Sequence, residues 1–296
     1  MRGIAESYGF MIRATSAAFY FSFLSVLLFP SLDAQRANKR PKIEILREID
    51  LEEGQQRLTN FRRMWVVGDM SLRYSLQFIP RRGERQEIEG TLWGTNGLGG
   101  PVSLIQIHDE METQLYLQSG PFASVSKKEK PANRWQMVDV EDWFQPIENQ
   151  ITLTAFDLMM PFIYWKDWTY EGATKVNSRV AHAFLLKAPD SFLNNPLGLH
   201  GVVVFLDESF NMLLRAEYVT EDELVFKSLR LIDIKKVDDV WLPKTLDFLN
   251  EETRDKTRLR IREAAVHLDF SNHSLGRGAL PDSVPEIPLS RYKRVR

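Results

Sequence analysis

The sequence predicts a mainly β, α+β protein built as an antiparallel meander. Three observations carry this: strict two-residue alternation in one segment, many strand-like stretches separated by polar turns, and only two helix signals. Charged residues 35–49 with Pro41 read as a linker, and regular structure begins near Asp50. Asp50 with Glu53 suits the start of a helix that places Leu51, Leu58, Phe61 and Met64 broadly on one side. Then the period falls to two. Met70, Leu72, Tyr74, Leu76 and Phe78 are apolar, while Asp69, Ser71, Arg73, Ser75 and Gln77 are polar, which predicts a strand with one dry face.

Further strands are expected at 85–95, 102–108, 113–118 and 134–139, with turns at Arg82-Gly83 and Asn96 to Pro101. Thr154 with Asp157 opens a second helix through Phe156, Met159, Met160, Phe162 and Ile163, leading into Tyr164, Trp165 and Trp168. Strands resume at 169–173, 179–188, 201–207, 212–219, 224–234, 240–249 and 256–268. Pro243 has no N–H to donate, so its strand is expected to be an edge or to carry a bulge. Residues 269–296, with Pro281, Pro285 and Pro288, read as an irregular tail, packed along the sheet or loose.

The 296 residues are 44% hydrophobic and 26% charged, enough for one large domain or two small ones without staples. The absence of cysteine excludes thiol nucleophiles, thiolate zinc sites and disulfide frameworks. The net charge of -2, with both signs interleaved, argues against nucleic acid as a partner. One basic cluster stands out in the tail: Arg291, Lys293, Arg294 and Arg296. It is either a solvated charge run or a contact for an anionic partner.

Residues 17–30 form an uncharged apolar run of about 14, preceded by Arg13 and followed by Ser31 to Ala34. That is short of the ~20 residues a membrane-crossing helix needs. Residues 1–34 are therefore expected to be a signal peptide cleaved after Ala34, placing the mature protein in the periplasm. A retained anchor is the alternative because Leu32 is large for its place in the cleavage pattern, and translation could start at Met1 or Met11.

Enzyme signatures are weak. His108, His182, His200, His267 and His273 show no metal-ligand spacing, and Gly94 to Gly100 lacks the Lys-Ser/Thr of a phosphate loop. His108-Asp109-Glu110 with Asp139, Glu141 and Asp142 could form acid–base pairs, but such carboxylates usually decorate turns. Neither catalysis nor a cofactor nor a metal is expected.

The segments DESFNMLLRAEY (207–218), KKVDDVWLPKTLDF (235–248) and RDKTRLRIREAAV (254–266) resemble the outer-membrane lipoprotein-sorting, LolA-like family. Asp207, Leu214, Ala216, Glu217, Tyr218, Trp241, Pro243, Lys244 and Thr257 carry the likeness, with departures at Arg215 and Asp239. The match is fairly specific over 180–268 and loose over 50–179. It implies that residues 50–268 form a strongly curved antiparallel sheet, an unclosed barrel with a helical lid over an apolar cavity. It further implies binding of lipid or lipoprotein acyl chains and a membrane-associated acceptor protein, or else an envelope sensor that receives a protein segment; a monomer is expected. The fold alone does not choose among these roles. The basic residue that lipoprotein carriers keep near the cavity has no counterpart identified here, since the alternation sets Arg73 opposite Leu72 and Tyr74.

The candidate ligand-lining residues are Leu72, Tyr74, Leu76 and Phe78 on the sheet and Phe156, Met159, Met160 and Phe162 on the lid. Trp165 and Trp168 belong either at a cavity mouth or in the core. The same side chains would equally serve to fill a core between lid and sheet.

Overall fold

The computed structural model describes residues 38–64, 68–97, 99–148, 151–192 and 195–296. The expected signal peptide, residues 1–34, lies outside the described residues. A two-residue strand β1 (Asn38–Lys39) is followed by helix α1 (Leu51–Met64). Asp50 caps that helix as expected: its carboxylate accepts from the Glu52 and Glu53 amides at 2.9 and 3.1 Å. Leu58 and Phe61 are buried as the spacing predicts, whereas Leu51 is 67% exposed and takes no part in the apolar face.

Two meanders follow. The first is β2 (Met70–Ile79), β3 (Gln86–Gly97), β4 (Gly100–Ile107), β5 (Gln114–Gln118), β6 (Ser124–Lys128) and β7 (Gln136–Val138). The second is β8 (Trp168–Val176), β9 (Arg179–Lys187), β10 (Gly201–Asp207), β11 (Leu213–Val219), β12 (Leu224–Val237), β13 (Val240–Asn250) and β14 (Lys256–Ala265). Antiparallel pairing of β2 with β14, register Leu76↔Leu259, joins them into one sheet that β1 and β15 (Lys293–Arg294) extend on β12 and β14. The strand order runs from β7 to β8 without those two ends pairing, so the sheet is an unclosed half-barrel. Register shifts in β8, β10, β11, β12 and β14 supply bulges, which bend and twist strands.

The chain between the two free ends, residues 139–167, contains the short helix α2 (Ala155–Met159) and a 3₁₀ turn at Pro161–Tyr164. The predicted capping box is present. Thr154 Oγ1 accepts from the Asp157 amide at 3.2 Å, and the Asp157 carboxylate accepts from the Thr154 amide at 2.8 Å. The helix is shorter than expected, because Met160 adopts a left-handed conformation (φ 47, ψ 54) and Pro161 then begins the 3₁₀ turn.

The outer face of the sheet is less exposed than simple alternation implies. Ser71 and Ser75 in β2 are buried, as is every residue of β10. Two coverings explain this. Residues 38–49, expected as a linker, lie along the sheet: Leu46 donates to the Ala173 carbonyl at 2.9 Å, Arg40 pairs with Glu171, and Ile43 packs on Val203, Phe205 and their neighbours. The tail packs Phe270 and Leu275 against Trp93, Leu104 and Tyr116. Strand β6 escapes a sequence reading because SVSKK offers only Val125 to an apolar pattern. Pro243 lies in an interior strand, so the edge reading does not hold. The bulge does: pairing with β14 begins only at Thr245, and β12 shifts register between Leu231 and Ile234 opposite the proline.

Candidate functional site

The inward side chains of the sheet meet α2 and the 3₁₀ turn in a single buried apolar cluster. Leu72, Tyr74 and Leu76 contribute from β2, and Phe156, Met159, Met160, Phe162, Ile163 and Trp165 from the crossing segment. The segment expected as a lid over an apolar cavity is instead a plug that fills the hollow with its own side chains, and its two phenylalanines, Phe156 and Phe162, have no solvent exposure. Trp168 packs half-buried on the cluster's margin, with its ring 6.1 Å from Phe184. Phe78 is half-buried and sits outside the cluster. Hence eight of the ten sequence candidates meet in one place, with Trp168 beside it and Phe78 apart.

Three aromatic residues that were not among the ligand-lining candidates complete the nest, Tyr218 having been noted only for the family likeness. Phe144 stacks on Phe156 at 4.7 Å, Phe192 lies 5.5 Å from Trp165, and Tyr218 stands edge-on to Phe156 and Phe162 at 5.7 and 5.8 Å. Phe144 and Phe192 come from short 3₁₀ turns, where no periodicity marks the inward side. Gly90 lets Tyr74 lie down against β3, since a Cβ there would fall 2.3 Å from the Tyr74 ring. Gly54 does the same for α1, whose Cβ would stand 2.6 Å from Tyr170 in β8.

A small set of polar contacts holds the plug. Asp157, with no solvent exposure, is ion-paired to Lys227 of β12, whose Nζ also donates to the Thr152 carbonyl at 2.7 Å. Burial, and then the Asp157 charge, raise the Tyr218 pKa well above its ordinary value, keeping it a neutral phenol. Ser119 Oγ donates to the Met159 carbonyl at 3.0 Å, and the Thr152 and Thr257 hydroxyls are 2.8 Å apart. At the far end Arg62 of α1 donates to the carbonyls of Ile163 at 2.6 Å and Trp165 at 2.7 Å. Burial lowers the Arg62 pKa, with Tyr164 opposing the shift. Arg62 is thus a basic residue clasping the plug, and its position on a helix gave the sequence reading no reason to single it out.

The acid–base candidates are placed in turns. The Asp109 carboxylate accepts from the Thr113 amide and hydroxyl at 2.8 and 2.7 Å, while His108, Glu110 and Asp139 are exposed. Among the described residues, Glu53, His182 and Glu208 have metal-like spacing, with ligand atoms within 4.8 Å of one another. The Arg47 guanidinium occupies that space, 2.7 Å from Glu208, 2.9 Å from Glu53 and 3.4 Å from His182 Nε2, and His182 Nδ1 is 2.7 Å from the Tyr170 hydroxyl.

No protein-family model matches the chain, and no curated protein does. Solved structures do. A putative outer membrane lipoprotein-sorting protein domain from Vibrio parahaemolyticus superposes with TM-score 0.63 at 18% identity, covering 77% of this chain and 98% of that one. A DUF1329 family protein from Desulfovibrio piger gives TM-score 0.63 at 12% identity, covering 74% and 95%. The fold is LolA-like. A LolA superfamily protein from Nitrosomonas europaea agrees, with TM-score 0.55, 8% identity and coverage of 73% and 93%. At these identities the LolA-like likeness concerns the fold, and function has to be argued from the plug and the walls around it.

Proposed function

We propose that the protein is an exported, periplasmic binding protein that shelters an acyl-type chain in the hollow of its sheet, with the plug as its movable occupant and without catalysing a reaction. The observation that carries this reading is the mismatch between the plug's apolar content and its few polar fastenings. Withdrawing Phe156, Met159, Met160, Phe162 and Ile163 from the cluster exposes side chains worth ~1.5–3 kcal/mol each, or about 7–15 kcal/mol together. A chain of ~16 carbons offers about 12 kcal/mol at ~0.8 kcal/mol per CH₂. The apolar contents of plug and ligand are thus of the same order, and the Arg62 and Asp157–Lys227 contacts tip the balance toward the seated plug, so that ligand enters only as the plug is released. The apolar walls that the plug occupies, the fold shared with a lipoprotein-sorting domain, and the apolar run at 17–30 followed by Ser31 to Ala34 support the same reading.

The chain has no cysteine, so an engineered pair forms one defined crosslink. Thr152→Cys with Thr257→Cys joins the base of the plug to β14, where the two hydroxyls are 2.8 Å apart. The expected outcome is saturable uptake of a fluorescent C16 fatty acid by the reduced protein, loss of uptake on oxidation, and recovery with reductant. Equal uptake in both redox forms, together with no lipid extracted from the protein purified from cells, would overturn the carrier reading. Capture of one protein partner under crosslinking, with no fatty-acid uptake, would favour a sensor.

A further inference from the structure

The basic tail that the sequence leaves open is a docked element. Val295 is buried and its amide donates to the Arg262 carbonyl at 3.0 Å, β15 pairs with Glu263 and Ala264 of β14, and the Tyr292 hydroxyl lies 2.7 Å from Ser71 Oγ. Arg73 stacks on the Tyr292 ring at 4.5 Å. This docking carries Arg294 and Arg296 to the rim of a groove of about 900 Å³ on the outer face of the sheet. The groove exists because β13 parts from β14 beyond the Thr245↔Arg260 pair, next to Pro243.

Its charge is one-sided. Seven Lys and Arg side chains line it, against three carboxylates. Four of the cations have acidic partners: Arg73 with Glu263, Lys244 with Asp233, Arg258 with Asp247, and Arg262 with Glu87. Arg260, Arg294 and Arg296 have no acidic side chain within 4.0 Å among the described residues. Guanidinium groups stay charged at any physiological pH, so Arg260, whose charge acts on nearby Glu87, together with Arg294 and Arg296 leaves positive charge at this groove that an anion can offset. Their planar forks match the paired oxygens of a phosphate, and the volume leaves room for a sugar-sized or headgroup-sized remainder.

We infer that this outer groove binds a phosphate-bearing anion through Arg260, Arg294 and Arg296, at a site separate from the plugged hollow. The source is either a soluble phosphorylated molecule or the headgroup of an anionic lipid, and the two are separated by the probe. Full-length mature protein is titrated at low salt with pyrophosphate and glucose 6-phosphate by calorimetry, and with phosphatidylglycerol vesicles against phosphatidylcholine vesicles by co-sedimentation. Saturable binding of a soluble probe, or selective binding to phosphatidylglycerol, is expected. The R260Q/R294Q/R296Q variant should weaken it by on the order of 100-fold, since hydrogen bonds to charged groups are the strong ones. The charge-matched R81Q/R82Q/R85Q variant, altered on the exposed turn after β2, should change it less than about 3-fold, consistent with general screening of distant surface charge. If the triple variant fails to fold, R296Q alone should still weaken binding by ~5-fold, because that side chain is exposed and makes no packing contact in the buried clusters. No binding of any probe by the unmodified protein, or equal losses in both triple variants, would overturn the assignment.

Discussion

Arg62→Met tests whether the plug is a closed gate or simply part of the core. The side chain donates two hydrogen bonds to plug carbonyls, Ile163 at 2.6 Å and Trp165 at 2.7 Å, from a half-buried position on α1. A hydrogen bond made by a charged donor contributes ~1–1.5 kcal/mol net at partial exposure, so the pair favours the seated plug by about 2–3 kcal/mol. Methionine keeps the apolar stem and removes the donors. If ligand binds only when the plug is out, its apparent affinity is its intrinsic affinity multiplied by the open fraction. Lowering the closing free energy by about 2–3 kcal/mol then raises that fraction, and tightens fatty-acid binding, by ~30- to 150-fold. Stability against urea should fall by a similar free energy, so binding and stability move in opposite directions. Hydrogen exchange of the 155–165 amides should accelerate in step. Weakened or unchanged fatty-acid binding, with exchange in the plug unaltered, would refute the gate.

Lys227→Met should cost about 3–5 kcal/mol in urea unfolding, since it leaves the fully buried Asp157 carboxylate without its cation; adding Asp157→Asn, which removes the charge and keeps an acceptor for the Thr154 amide, should recover part of the loss. Gly54→Ala places a Cβ 2.6 Å from the Tyr170 ring, and a loss of about 1–3 kcal/mol, read as a lowered Tm, is expected. His182 is buried, and burial followed by the Arg57 charge lowers its pKa in the folded state. The unfolded chain therefore takes up the proton first: stability is full above about pH 6.5 and declines as pH falls from there through the folded-state pKa. Urea titrations between pH 7.5 and 5 should show that slope, and His182→Gln should flatten it.

Much of the architecture was legible because it is local. Residues 69–78 alternate so regularly that β2 could be read directly, and Thr154 with Asp157 marks the start of α2 by chemistry confined to four residues. The end of α2 was signalled by Pro161, which disfavours helix at the residue before it, but the apolar spacing through Phe162 and Ile163 pointed to a longer helix. Strand β6, with one apolar residue in five, and the two-residue strands β1 and β15 carry no periodicity to read. These strands exist because neighbours offer them backbone partners.

The candidate site divides along the same line. Leu72, Leu76, Phe156 and Phe162 announce themselves as apolar and regularly spaced, but whether they enclose a space or fill one depends on how far the sheet bends and what chain crosses it. The sequence alone determined the succession of strands β2–β5 and β7–β14, the plug's capping box and most of the side chains that avoid water. Only the tertiary structure decided that the plug sits in the hollow, that Arg62 and Lys227 hold it there, and that the tail gathers arginines from distant positions around an outer groove. The reason is physical: periodicity records which residues must leave solvent, whereas the partner each one meets is set by sheet curvature and long-range register, which no short window of residues contains.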